Sequence, residues 1–267
     1  MREKPHQALL PAGMVDLLPP EAEFEAHTTE RLIATFRRNG YELVKPPLVE
    51  FEENLVTGSG AATAAQTFRL MDPDSQRMMA IRADMTIQIS RIASSRLSDL
   101  PRPLRLSYAG QVLRIKGSNL RPQRQFGQVG AELIGSKAPS ADVEIITMTV
   151  NSLRDLGITE LSVDLGIPTL VDTICGDLGI TDDGEKLALR TALNQKDAAA
   201  IATLSAKAAS VFSVLLSAVG PVEKSLQILE KVQLAPQAEQ ELDHLKSVVN
   251  ELKVITTIFP PGFKILV

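Results

Sequence analysis

Two runs, Leu104-Arg105-Leu106-Ser107-Tyr108-Ala109-Gly110-Gln111-Val112-Leu113-Arg114-Ile115 and Arg124-Gln125-Phe126-Gly127-Gln128-Val129-Gly130-Ala131-Glu132-Leu133-Ile134, decide how this chain folds. Both are rich in β-branched, aromatic and aliphatic residues, and the polar segment Lys116–Gln123 joins them, which predicts two long paired strands. Between Leu100 and Ala131 there is no Asp or Glu, yet the window holds Arg102, Arg105, Arg114, Lys116, Arg121 and Arg124. The whole chain carries a net charge of −4, so positive charge is concentrated here and the remainder is acidic. Such segregation makes a local positive field suited to a small anionic group. Arginine grips a carboxylate or phosphate with a planar fork. Alternation of side chains predicts that Arg114 and Lys116 project on the same side of their strand. It also puts Gln128, Gly130 and Glu132 on one face. That face reads equally as a solvated sheet surface or as a ligand surface with room left by the glycine.

Outward from the hairpin, Pro19-Pro20-Glu21 predicts a helix start. The helix should run to about Asn39, with Phe24, Leu32, Ile33 and Phe36 as its apolar stripe and Gly40 as its stop. Pro46-Pro47 restricts Leu48–Phe51 to an extended edge. The turn Asp72-Pro73-Asp74-Ser75 predicts a hairpin of Thr67–Met71 with Met78–Ile81. A helix follows from Asp84, its N-cap, to Arg96, with Ile87, Ile89 and Ile92 as apolar surface. Another begins at Pro139-Ser140 and runs to Leu156. From Pro168 to Lys253 the composition turns to Ala, Leu, Lys, Gln and Glu, with breaks at Gly179, Gly220 and Pro236. That predicts about five short amphipathic helices forming an inserted subdomain. Phe259-Pro260-Pro261-Gly262 should end it, and Phe263–Val267 should return as a strand.

Composition excludes several classes. At 267 residues and 44% hydrophobic the chain can bury a substantial core. Its acidic balance disfavours broad nucleic-acid binding, which needs a basic face. No apolar run approaches the roughly 20 residues of a membrane span, and Met1–Pro11 lacks an export signal, so a cytoplasmic setting is expected. Cys175 is the only cysteine, and His6, His27 and His244 are widely spaced, so neither a disulfide nor a metal site is expected. Asp182-Asp183 reads as a helix cap rather than a catalytic pair. No cofactor is expected.

Several segments carry a family resemblance. Arg105-x-x-Tyr108-x-Gly110-x-x-x-Arg114 with Arg124-Gln125-Phe126-Gly127-Gln128-x-Gly130-x-Glu132-x-Ile134-Gly135 resembles motif 2 of the class II histidyl-tRNA synthetases. Gly13-Met14-Val15-Asp16-Leu17-Leu18-Pro19 looks like their N-terminal signature. Gly40-Tyr41-Glu42-Leu43-Val44-Lys45-Pro46-Pro47-Leu48-x-Glu50 looks like motif 1, the helix-strand unit of their dimer interface. The resemblance implies an α+β fold: a class II aminoacyl-tRNA synthetase-like antiparallel sheet flanked by helices. In that reading residues 1–165, completed by 258–267, form the core and residues 166–257 a helical insertion.

Departures narrow the resemblance. Arg82-Ala83-Asp84-Met85-Thr86-Ile87-Gln88 stands where synthetases usually carry Arg-Pro-Glu-Gly-Thr, and is similar to the ATP phosphoribosyltransferase regulatory subunits, paralogues of the synthetases in histidine biosynthesis. Lys116 replaces the glutamate that follows the motif 2 arginine, Gly127 replaces a histidine, and no Gly-rich motif 3 follows. The chain stops on Ile-Leu-Val where a Tyr-rich histidine motif is expected, which suggests a shortened sequence. The resemblance implies a non-catalytic, dimeric subunit that binds histidine and mediates feedback on the short-form catalytic subunit. Asp84, Thr86 and Gln128 would hold the α-amino group, Arg114 would face the carboxylate and Glu132 would accept the imidazole N–H. A synthetase fragment forming histidyl-adenylate is the alternative.

Overall fold

The computed structural model describes residues 10–56, 64–167, 169–204, 206–232, 234–255 and 264–266. His6, Pro168 and the predicted break at 259–262 lie outside the described residues. Contacts divide the chain into two compact units, Met1–Ser136 and Lys137–Val267.

In the first unit, helix α1 (Glu21–Arg38) carries Glu21 and Glu23 in its first turn and Arg37 and Arg38 in its last, each matched to the dipole end it sits on. Gly40, at φ 82°, turns the chain out of the helix in a conformation that favours glycine. Of the predicted stripe only Phe36 is buried; Phe24 is 75% exposed. Strand β1 (Glu42–Leu43) then runs parallel to β5 (Leu104–Leu113), pairing Glu42 with Leu106, and β5 pairs antiparallel with β6 (Gln125–Ile134) from Leu104↔Ile134 to Leu113↔Gln125. This sheet has the order β1-β5-β6. A second antiparallel sheet has β4 (Met78–Ile81) between β2 (Val49–Phe51) and β3 (Arg69–Met71). Asp72 caps its own turn, accepting from the Asp74 and Ser75 amides. The short helix α2 (Glu52–Val56) follows β2.

Helix α3 (Thr86–Ser95) covers the face of β5 and β6 built from even-numbered residues. Met85, Ile89 and Ala93 pack there on Leu104, Leu106, Tyr108 and Val112. Complete burial of an aliphatic side chain such as Ile89 stabilises by roughly 1.5–3 kcal/mol. The odd-numbered face meets α1, where Gln111 donates to Glu25 at 3.0 Å. Since strand side chains alternate, one sheet thus carries α1 on one face and α3 on the other.

The second unit begins with α4 (Pro139–Asp155), opened by proline in its first turn, and β7 (Ser162–Asp164). Helices α5 (Leu170–Asp177), α6 (Asp183–Asn194), α7 (Ala198–Ala202), α8 (Ala206–Ser217), α9 (Val222–Leu229) and α10 (Pro236–Ile255) follow, and β8 (Lys264–Leu266) returns parallel to β7. The breaks at Gly179, Gly220 and Pro236 all separate helices. The last helix is not short: no breaker interrupts Pro236–Ile255, and Ala238, Leu242, Leu245, Val248, Val249 and Leu252 recur on one buried face. α4 packs on α10 through Val143, Val150, Val248 and Leu252, with His244 and Asp142 2.7 Å apart at one end. Asp182 accepts from the Glu185 amide at 2.8 Å, so it is a helix cap. Cys175 is buried in the core of α5, α6 and α8, and burial pushes its thiol pKa up. Among the described residues no helix is long and apolar enough to cross a membrane, and no metal-binding cluster forms.

Candidate functional site

The polar residues of the α3-facing sheet surface meet the loop that enters α3. The Asp84 carboxylate accepts the Thr86 amide at 2.8 Å, which serves the first turn of the helix, although the helix proper starts one residue later than an Asp84 N-cap predicts. Its other oxygen accepts from the Gln128 side-chain amide at 2.9 Å. Gln128 in turn accepts the Met85 N–H at 2.9 Å, so one strand residue holds both the Asp84 carboxylate and the backbone that enters the helix. Tyr108 stands beside them, its hydroxyl 3.1 Å from Thr86 Oγ1 and donating to Glu132 Oε1 at 3.1 Å.

Tyr108 is buried, whereas Asp84, Gln128 and Glu132 are half-buried and Thr86 is exposed. Burial pushes the Tyr108 hydroxyl up to about 12 and also raises the Glu132 carboxyl, with the nearby Asp84 charge adding to both. Tyr108 lies directly across the ladder from Gly130, and a Cβ on Gly130 would stand 2.4 Å from its ring. The glycine therefore makes room for the tyrosine, rather than for a ligand.

Beneath this cluster the Arg82 guanidinium is buried. It donates to the carbonyls of Gln111 (2.8 Å) and Pro46 (2.9 Å) and lies 3.4 Å from Gln88 Oε1. Gln88 and Arg91 both donate to Glu50, at 2.8 and 2.6 Å. Burial lowers the Arg82 pKa while the Glu50 charge opposes that. The buried arginine thus fastens the Asp84 loop to Pro46 and to β5, and a Cβ on Gly110 would stand 2.3 Å from Arg82 Nη2, so the guanidinium would have to shift.

The basic hairpin is less open than its charge count predicts. Arg114 donates to the Ala83 carbonyl at 3.3 Å, and the Phe126 ring has the Arg114 and Arg121 guanidinium carbons 5.1 and 4.6 Å from its centroid. Arg124 donates to the carbonyls of Arg114 and Ala12, and Arg102 to that of Ala93. Lys116 does not continue the strand beside Arg114: β5 ends at Leu113, the Ile115 N–H turns to the Gln66 carbonyl, and Lys116 sits exposed in the bend that follows.

Four of the five residues expected at the site, Asp84, Thr86, Gln128 and Glu132, are linked in one hydrogen-bonded group through Tyr108. Arg114 reaches its edge at Ala83, the neighbour of Asp84. Tyr108 and Arg82 are the further side chains of this cluster that spacing alone did not assign. Besides its place in the motif 2 resemblance, the pairing of a large aromatic with a cross-strand glycine is a signal that could have marked Tyr108.

Residues 13–263 match the sequence profile of the histidyl-tRNA synthetase family. The chain belongs to that family. Within it, an ATP phosphoribosyltransferase regulatory subunit from Paramagnetospirillum magneticum is 52% identical over 249 residues, covering 93% of this chain and 65% of that protein. One from Rhodospirillum centenum is 49% identical over 256 residues, covering 96% and 65%. The chain therefore spans about two thirds, 65%, of the length of these relatives. A crystal structure described as an ATP phosphoribosyltransferase regulatory subunit/histidyl-tRNA synthetase, from Bacillus halodurans, aligns with a TM-score of 0.83 at 26% identity, covering 98% of this chain and 68% of that one. The fold is thus the class II synthetase-like α+β architecture. Its main sheet is mixed only at the edge, where β1 joins β5 in parallel.

Proposed function

We propose that the protein is a non-catalytic regulatory subunit of ATP phosphoribosyltransferase. In this reading it binds histidine and mediates feedback on the short-form catalytic subunit in the cytoplasm. The observation that carries it is the Asp84–Thr86–Tyr108–Gln128–Glu132 group, set in a chain about half identical to proteins named as that subunit. Each Asp84 oxygen accepts one protein N–H and keeps a lone pair, so it can take an α-ammonium. Gln128 sets the Asp84 rotamer, and the Thr86 hydroxyl supplies a further acceptor. Arg114, at the edge of the group, offers a fork to the α-carboxylate. Glu132 offers its carboxylate to an imidazole N–H.

Homodimerisation through the motif 1 region belongs to the same proposal. Within that segment Leu43 and Leu48 are 37 and 46% exposed, apolar surface of the kind that partners cover. The division into a core of residues 1–165 with 258–267 and an insertion of 166–257 likewise follows the family resemblance. Neither nucleic acid nor membrane is a partner in this reading.

Histidine feedback requires that the ligand bind two states of the complex unequally. The test is co-purification of the full-length protein with the catalytic subunit, followed by histidine titration of the assembled activity. Retention of the subunit and histidine-dependent inhibition are expected. Strong histidine-dependent ATP–pyrophosphate exchange by the protein alone would instead make it a histidyl-adenylate-forming enzyme and overturn the reading.

A further inference from the structure

The charges of the site do not balance without a proton. Glu132 faces Leu106 across the ladder, the Tyr108 hydroxyl on β5, and the Thr86 hydroxyl and Asp84 carboxylate at the start of α3. On its own strand the polar neighbour on that face is neutral Gln128. Tyr108, held up at about 12, is a neutral donor at physiological pH. Among the described residues neither Asp84 nor Glu132 forms an ion pair. The Arg114 guanidinium at the edge of the group donates to the Ala83 carbonyl, and the buried Arg82 guanidinium beneath it donates to the Gln111 and Pro46 carbonyls and has the Glu50 charge opposite it. Two half-buried carboxylates therefore share one cluster with neutral hydroxyl and amide groups, an arrangement that disfavours double ionisation.

Histidine with a neutral ring is a net-neutral zwitterion. Its ammonium answers Asp84 and its carboxylate answers Arg114, which leaves the Glu132 charge uncompensated in a partly desolvated pocket. We propose that histidine binds this site together with one proton, shared between the Glu132 carboxylate and the imidazole ring. The proton comes from solvent. It rests either on the ring, as an imidazolium facing a carboxylate, or on Glu132, as a carboxylic acid facing a neutral ring. Both forms carry the same total charge and cannot be told apart by proton count. Free imidazole is mostly unprotonated above about pH 7, so at a pH where Glu132 is ionised in the ligand-free site the proton is taken up on binding. This inference rests on the histidine reading above and adds to it the charge state in which the ligand is recognised.

The measurement is calorimetric titration of the full-length protein with histidine near neutral pH, in buffers of different ionisation enthalpy. The slope of heat against buffer enthalpy should report uptake of about one proton, and affinity should fall by up to about tenfold per pH unit above the ring's ordinary pKa of about 6.5. A histidine analogue with a non-basic 1,2,4-triazole ring, which keeps the N–H donor but holds a shared proton less well, should bind at least about tenfold more weakly. Glu132→Gln should reduce the proton uptake by histidine toward zero. The buffer and pH series on the unaltered protein decide the matter even where that variant does not fold. Histidine binding with no buffer dependence and a flat pH profile would overturn the proton-coupled mode while leaving the histidine site intact. No histidine binding at any pH would overturn both.

Discussion

Gly130→Ala tests whether Tyr108 is fixed by the strand beneath it. The added Cβ would lie 2.4 Å from both Cζ and the hydroxyl of Tyr108 and 2.8 Å from Cε2. The ring is buried under α3 with Met85 and Ile89, and its hydroxyl is shared between Thr86 and Glu132. Overpacking of this kind costs about 1–3 kcal/mol. A ring forced aside would also forfeit hydroxyl hydrogen bonds of about 1 kcal/mol each. Thermal unfolding followed by circular dichroism should show Tm lowered by roughly 3–10 °C. The decisive experiment is a double-mutant cycle. In a Tyr108→Leu background, where the terminal ring atoms are gone, the same Gly130→Ala change should cost less than about 0.5 kcal/mol, a coupling well outside additivity. If the glycine substitution costs the same in both backgrounds, the close approach of Tyr108 is not what requires Gly130, and the account of this face fails.

Arg82→Met leaves the Pro46 and Gln111 carbonyls without their donor and should destabilise by about 1–3 kcal/mol for each in urea titration. Arg82→Lys, which keeps the charge and loses the fork, should recover only part of that; full recovery would show that charge alone matters. Glu132 has a raised carboxyl pKa when folded, so its ionisation costs stability once the pH rises through that value. Glu132→Gln should therefore raise the Tm of the ligand-free protein at neutral pH, with the gain vanishing as the pH falls below the ordinary carboxylate range; a gain that grew in acid would contradict the sign. Asp182→Ala removes the acceptor at the start of α6 and should cost about 1 kcal/mol in melting experiments without changing histidine affinity.

What the sequence determined by itself was local or periodic. Prolines at 19 and 20, the turn at Asp72–Ser75, Gly40 and the two β-rich runs each act within a few residues, and each element formed where those signals put it. The linked motifs around Asp84 and Glu132 named the residues of the candidate site, because those identities do not depend on knowing what packs on them. Side-chain alternation put Gln128, Gly130 and Glu132 on one face but left open whether water or protein covered it. Only the tertiary structure brought α3 onto that face. It thereby gave Gln128 to Asp84, filled the space over Gly130 with Tyr108, and desolvated Glu132. Phe24 shows the converse: helical spacing marked it as core, yet among the described residues it stays 75% exposed. The basic hairpin changed most. Its charge was legible as a sum, but the carbonyls of Ala83, Ala12 and Ala93 and the Phe126 ring that engage Arg114, Arg124, Arg102 and Arg121 come mostly from segments distant in sequence. A net positive window shows that cations are present; how much of each is left for a ligand is set by long-range contacts that periodicity does not encode.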